Sequence, residues 1–262
     1  MHTSPTPFTI KAMYPKIGIF DSYSLMLLVG LLSVWGIIEF VGKKKQMAKK
    51  TISFVEIGGV LAVIFGLIGA VLLQNLYDFI EKGPAYSWTW AMTFYGGLLF
   101  GVPAFLLFYF LCIRRKCGPC MKDFILLLAP ASIASAQGFG RIGCFLAGCC
   151  YGRQTSSWIG VHFPNVEGKV IPTNLMEAIF LFLLAAGLLV LALSKWADWC
   201  FPVYLFSYSI WRFVIEFFRG DHRGDFIPGL SPSQFWSIVL FLVGIGYVVY
   251  LLWQKKNAAK DA

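Results

Sequence analysis

Seven runs of about twenty mostly apolar residues recur along this 262-residue chain, separated by short polar or charged segments. A hydrocarbon core about 30 Å thick is crossed by about twenty helical residues, because each rises about 1.5 Å and the helix satisfies its own backbone groups. The runs are Tyr23–Gly42, Phe54–Ile80, Thr93–Arg114, Phe124–Phe145, Asn174–Ser194, Trp199–Phe218 and Ser233–Trp253. Charged residues make up only 13% of the chain. Soluble domains carry about a quarter, so lipid is the expected solvent. The pattern predicts an all-α integral membrane protein of about seven transmembrane helices, forming a single polytopic domain over residues 1–262. The opening segment, residues 1–21, lacks the basic flank and adjoining apolar run of a signal peptide.

A net charge of +9 can signal a nucleic-acid partner, but here the basic residues fall in clusters between apolar runs. Lys43, Lys44, Lys45, Lys49 and Lys50 follow the first run; Arg114, Arg115, Lys116 and Lys122 follow the third; Lys255, Lys256 and Lys260 end the chain. These loops alternate, so all three clusters share one face, and the excess of Lys and Arg marks that face as cytoplasmic. The expected topology is N-terminus outside and C-terminus inside, with membrane lipid rather than nucleic acid as partner. Tyr151–Thr173 then forms the largest outer loop, a small lid over the membrane. The stretch Glu81–Met92, with Pro84, Tyr86, Trp88 and Trp90, reads as an interfacial connection, because aromatic rings prefer the headgroup zone.

Charged residues inside such runs cost about 2.5–3.5 kcal/mol each on insertion scales, so those that persist call for an explanation. Arg141 lies near the outer end of the fourth run, flanked by Gly138, Gly140 and Gly143. An arginine snorkelling to outer headgroups would account for it alone. Small residues on both sides favour a ligand, since they admit close backbone approach. In the sixth run Tyr208, Arg212, Glu216 and Arg219 recur at helical spacing along one face. That row reads either as a structural salt-bridge ladder or as a seat for an anionic group such as phosphate. Tyr23, Tyr95-Gly96-Gly97, Asn174, Glu177, Ser231 and Gln234 lie at outer ends as well, whereas the cytoplasmic half is nearly all apolar. This asymmetry favours an outer-leaflet headgroup site over a transport path, which needs polar lining through the bilayer.

In order along the chain, the segments Ile17–Gly30, Met92–Gly101, Gly140-Arg141-Ile142-Gly143 with Phe145 and Tyr151-Gly152, Pro172–Glu177, Arg212–Asp221 and Leu230–Gln234 resemble the bacterial prolipoprotein diacylglyceryl transferase family. The resemblance implies a plasma-membrane enzyme with its active site facing the outer leaflet. It implies transfer of the diacylglyceryl group of phosphatidylglycerol to the thiol of a prolipoprotein lipobox cysteine, with release of glycerol phosphate. It further implies that Arg141, Arg212, Glu216, Arg219 and Tyr95 are catalytic, with Arg141 on the phosphate. Tyr23, Gly96, Gly97, Gly140, Gly143, Gly152 and Gln234 would hold phospholipid together with Arg141. Several positions depart from the family's usual residues: Cys144 and Ala147 stand for asparagines, Cys149 for a glutamate and Tyr95 for a histidine. Gly69–Leu72 lacks an expected arginine. A different acceptor for the same donor is therefore the second reading.

Seven cysteines complete the inventory. Cys117-Gly118-Pro119-Cys120 has redox-motif spacing but lies in a basic cytoplasmic loop without a βαβ context, so it reads as a tight turn with reduced thiols. Cys112 and Cys200 read as buried hydrophobes. Cys144, Cys149 and Cys150 flank Arg141 and could be small replacements for lost polar contacts, a disulfide, a nucleophile or a thiol-redox element. A metal is the least favoured, since the spacing matches no standard zinc pattern and no histidine is in place. The expectation is no metal and no cofactor. His222 is the one histidine near the sixth run, and solvent exposure in a loop is its simplest reading.

Overall fold

The computed structural model describes residues 16–17, 20–90, 92–117, 121–163, 166–220 and 230–258. A two-residue ribbon, β1 (Lys16–Ile17) with β2 (Phe20–Asp21), leads into α1 (Ser22–Lys44). The Asp21 carboxylate accepts the Ser24 N–H at 2.9 Å, which starts that helix by satisfying an otherwise orphaned donor. After α2 (Lys49–Lys82), α3 (Phe94–Phe108) passes through a π-helical turn (Tyr109–Ile113) into the short α4 (Arg114–Cys117). Then come α5 (Met121–Leu146), a second ribbon of β3 (Val161–His162) and β4 (Lys169–Val170), α6 (Thr173–Ala192), α7 (Cys200–Glu216) and α8 (Pro232–Ala258). Helix covers most of each expected apolar run, and α1, α2, α6 and α8 are long and apolar enough to cross a membrane. The two ribbons refine the all-α expectation; each is only two residues per strand.

Two compact units emerge, Ile38–Ile125 and the remainder of the chain. In the Ile38–Ile125 unit, α2 and α3 pack through small residues. A Cβ at Gly96 would overlap the Gly69 carbonyl oxygen, and one at Gly101 would sit 2.8 Å from the Ala62 carbonyl oxygen. Such stripes let backbones approach where the surrounding lipid gives no hydrophobic drive to associate. The connection after α2 is tied back by Asn75, whose amide donates to the Thr89 carbonyl at 2.8 Å and accepts from the Tyr86 hydroxyl at 2.8 Å and the Thr89 N–H at 2.9 Å. The interfacial stretch expected at Glu81–Met92 is thus anchored by a buried side chain that sequence reading passed over.

The other unit has its apolar core between α5, α6 and α7, where Ala131, Ala134, Leu181, Ala185, Leu188, Cys200 and Leu205 are buried. Outward-facing Leu183 and Val190 are 69% and 72% exposed, as befits a surface solvated by lipid. Helix α8 opens with a reciprocal cap: Ser231 Oγ accepts the Gln234 N–H at 3.2 Å while Gln234 Oε1 accepts the Ser231 N–H at 3.1 Å. Lys255 in its last turn pairs with Asp198 at 3.0 Å.

The α2–α3 contact yields a prediction. Gly96→Val forces a side chain into the Gly69 backbone and costs about 1–3 kcal/mol, as overpacking generally does. Thermal unfolding in detergent should show a lowered melting temperature, and an unchanged one would contradict the close approach.

Candidate active site

At one end of the larger unit, the first turns of α1, α6 and α8 meet the last turns of α5 and α7. Gly143 on α5 makes the α1 contact possible, because a Cβ there would lie 3.0 Å from the Tyr23 ring. Gly152, just past α5, is needed more strictly: a Cβ would sit 2.5 Å from the Phe218 carbonyl oxygen and 2.8 Å from the Thr173 methyl. The backbone there closes with Arg219 as an isolated antiparallel bridge, and the Arg153 N–H donates to the Phe218 carbonyl at 3.0 Å. A Cβ at Gly140 would meet nothing within 4 Å, so this position leaves open space beside Arg141 instead of a backbone contact.

Arg141 Nε pairs with Glu177 Oε2 at 3.0 Å, with side-chain exposures of 21% and 1%. A purely snorkelling arginine is excluded by this contact, since Glu177 on α6 holds the guanidinium from within the protein. The Tyr208 hydroxyl on α7 lies within hydrogen-bonding reach of Arg141. Tyr204, one turn earlier, stacks parallel on Tyr208 with ring centroids 5.8 Å apart and donates to Gln137 Oε1 at 3.0 Å. Gln137 and Arg141 are four apart on α5, and Tyr204, Tyr208 and Arg212 are four apart on α7. Two polar faces therefore meet.

Arg212 Nη2 pairs with Glu216 at 2.9 Å and donates to Ser233 Oγ on α8 at 2.6 Å. Its Nη1 is buried without a hydrogen-bond partner among the described residues. The helix ends at Glu216, so Arg219 stands not on the helical row but on the turn beyond it, 3.9 Å from Glu216. Among the described residues, Glu177 pairs with Arg141, and Glu216 faces both Arg212 and Arg219. Arg153 lies over the Phe218 ring, 5.8 Å from its centroid. The sixth-run arginines thus form a salt-bridge ladder on Glu216, in which Arg212 Nη1 has no hydrogen-bond partner among the described residues.

The loop after α5 is pinned by α6. Asn174 donates to the Cys149 carbonyl at 2.8 Å, and the Thr173 hydroxyl donates to the Cys150 carbonyl at 3.1 Å. Gly148 and Cys150 take positive φ, 72° and 60°, and the resulting turn brings the sulfurs of Cys144, Cys149 and Cys150 within 4.8 Å of one another. None of the three is in a disulfide. The Cys150 thiol is held below its ordinary range, because the other two thiols hydrogen-bond to it and the Arg219 guanidinium lies beside it, against the opposing effect of burial.

Of the expected site residues, Arg141, Tyr23, Gly140, Gly143, Gly152, Arg212, Glu216, Arg219 and Gln234 all fall in this unit, at this end. Gln234 is engaged in the α8 cap. Tyr95, Gly96 and Gly97 belong to the other unit, where Gly96 serves the α2–α3 contact. The Tyr95 side chain lies outside the described residues, as do Asp221, His222 and Gly118–Cys120. Sequence reading missed Gln137, Tyr204 and Ser233; the four-residue spacing of Gln137 with Arg141 and of Tyr204 with Tyr208 was the available signal, and Ser233 had none.

Fold and site together define a helical membrane protein with a buried cluster of arginines and carboxylates at one end of its larger unit. Residues 14–250 match the family described as prolipoprotein diacylglyceryl transferase. Relatives named phosphatidylglycerol–prolipoprotein diacylglyceryl transferase include one from Clostridium tetani, 34% identical over 85% of this chain and 90% of the relative. A second, from Dehalococcoides mccartyi, is 26% identical over 100% of this chain and 98% of the relative. A third, from Clostridium perfringens and named with the suffix 2, is 34% identical over 71% of this chain and 74% of the relative. The chain belongs to the prolipoprotein diacylglyceryl transferase family.

The buried pair generates a stability prediction. Glu177→Ala leaves Arg141 without its carboxylate, and removing one partner of a buried pair costs about 3–5 kcal/mol. Denaturation in detergent should show the loss, whereas a cost below about 1 kcal/mol, typical of exposed pairs, would mean the site is open to solvent.

Proposed function

We propose that this chain transfers the diacylglyceryl group of phosphatidylglycerol to the lipobox cysteine thiol of prolipoproteins, releasing glycerol phosphate. The observation that carries the reading is the convergence of Arg141, Arg212 and Arg219 at one end of the larger unit, with Arg212 Nη1 buried and without a hydrogen-bond partner among the described residues, in a chain of this family. The reaction makes a sulfur–carbon bond as a carbon–oxygen bond to phosphate breaks, so charge accumulates on the departing phosphate. Preorganised guanidiniums in a water-poor site stabilise such charge far better than water does. Arg141 uses Nε for Glu177 and keeps N–H groups on its Nη atoms for the phosphate. Arg212 offers its unpartnered Nη1, and Arg219 adds charge from the turn beyond α7. Glu216 orients both.

Tyr23 positions headgroup or acceptor, and Gly140, Gly143 and Gly152, with Gln234, shape the phospholipid seat. The open space at Gly140 supports its part in this. An apolar cleft of about 290 Å³ between α7 and α8, lined by Phe213, Val214, Ile238, Phe241 and Leu242, suits an acyl chain. It begins one turn from the Arg212–Ser233 bond, at Ser209 and Ser237. The enzyme acts as one membrane domain of seven spans in the bacterial plasma membrane, N-terminus outside, C-terminus cytoplasmic and site at the outer leaflet. The unbroken helical backbone from Phe94 to Cys117 supports a span there.

A second reading keeps the donor and changes the acceptor, and the cysteines at 144 and 149 and the tyrosine at 95 favour it. Incubating the purified protein with labelled phosphatidylglycerol and a lipobox peptide should give labelled peptide and glycerol phosphate. Glycerol phosphate released only with some other acceptor would select the second reading. Arg141→Ala should lower transfer by at least about 100-fold, the scale of losing one preorganised donor, while the protein remains inserted. Full activity in that variant would overturn the assignment. For the topology, a cysteine at Ser157 in an otherwise cysteine-free chain should react with an impermeant maleimide in intact cells, and one at Lys256 only after lysis. The reverse pattern would invert the orientation.

A further inference from the structure

We propose that Cys144, Cys149 and Cys150 form a three-thiolate zinc site whose fourth position takes the acceptor thiol. The metal site stands on the sulfurs alone; only the acceptor role rests on the transferase reading. All three sulfurs already lie within 4.8 Å of one another. Tetrahedral zinc with bonds of about 2.3 Å sets its sulfurs about 3.8 Å apart, so small side-chain rotations close the site. Sequence spacing concealed it, because the ligands converge through a turn rather than a standard zinc motif. Gly148 and Cys150 both adopt left-handed backbone there, a conformation that a non-glycine residue keeps only when its surroundings impose it.

The surroundings do impose it. Thr173 and Asn174, buried in the first turn of α6, hold the carbonyls of Cys150 and Cys149, and the Cys149 N–H donates to the Cys144 carbonyl at 3.0 Å. A disulfide is a poor use of this geometry. Adjacent Cys149 and Cys150 have Cα atoms about 3.8 Å apart, short of the usual disulfide range of about 4.4–6.8 Å, and any single bridge leaves one thiol over. Three soft thiolates select zinc or copper(I) over hard cations. Zinc fits better, because it retains a fourth position and the reaction exchanges no electrons. Three thiolates with zinc carry one net negative charge, which Arg219, lying against Cys150, offsets. Cys149 is exposed, so the fourth position is reachable.

Zinc coordination deprotonates a bound thiol. The acceptor proton goes to solvent, its sulfur lone pair forms the bond to the glyceryl CH2 carbon, and the carbon–oxygen bond breaks with its electrons leaving on phosphate. The thioether product is a weaker ligand and departs, which restores the site. The device supplies the acceptor as a nucleophilic thiolate without a separate general base.

Full-length protein purified in detergent with reductant and without chelator should contain about one zinc per chain by elemental analysis. The Cys144→Ser/Cys149→Ser/Cys150→Ser variant should contain almost none while keeping its helical circular dichroism. Zinc absent from the parent, equal in the two, or replaced by copper would overturn the site. In cobalt-exchanged protein, a lipobox peptide should shift the thiolate–cobalt spectrum and its Cys→Ser counterpart should not. Equal responses would overturn the acceptor role alone. Neither readout requires turnover, so failure of diacylglyceryl transfer is scored separately.

Discussion

The Arg141–Glu177 pair is the contact on which the site depends. A guanidinium at this depth is tolerable only with a carboxylate to meet it, and Glu177 is almost wholly shielded. That requirement locks the last turn of α5 to the first turn of α6. The same turn of α6 supplies Thr173 and Asn174, which fix the loop that follows α5. One helix start thus sets both the orientation of Arg141 and the shape of the cysteine turn. Tyr208 then joins α7 to the pair, and Arg212 joins α7 to α8 through Ser233. The polar groups that the chain must bury are the groups that hold its ends together.

This arrangement explains why the apolar and polar parts are segregated. Below the charged end, α5, α6 and α7 pack mainly on alanines and leucines. Lipid supplies no hydrophobic incentive for helices to associate, so contacts there rely on small residues and close fit. Gly138 against the Phe182 ring and Gly244 against Phe206 are instances. At the charged end, hydrogen bonds and ion pairs take over, and they are satisfied only if all five helix ends arrive together.

Much of the architecture was legible in the sequence because twenty-residue apolar runs leave few alternatives to helix. The start of α8 was readable too, since Ser231 and Gln234 have capping-box spacing. What escaped is what depends on tertiary approach. Helical spacing put Arg219 on the row with Arg212 and Glu216, but the helix stops at Glu216, where the backbone turns to pair with Gly152. The close approach of Gly96 to the Gly69 backbone was likewise out of reach of the sequence. Glu177 was visible as an outer-end residue, but nothing along the chain named Arg141 as its partner. The cysteine cluster was hidden for the same reason, since positive φ at Cys150 has no sequence signature in a non-glycine residue.

The cysteines also bear on which chemistry the site can support. A thiol in the cluster that took the diacylglyceryl group itself would form a thioether, with a carbon–sulfur bond at a saturated carbon. Passing the group onward would then require expelling a thiolate from that carbon. Covalent catalysis helps only when it divides one hard step into two easier ones. Here the second step lacks the phosphate leaving group that makes the first feasible, so the lipid would be stranded on the enzyme. Phosphate departure has to be coupled to attack by the final acceptor. On the proposed reading, the guanidiniums serve the leaving side of that single displacement. The cysteine turn, fixed by the same helix start as Arg141, is proposed to serve the entering side.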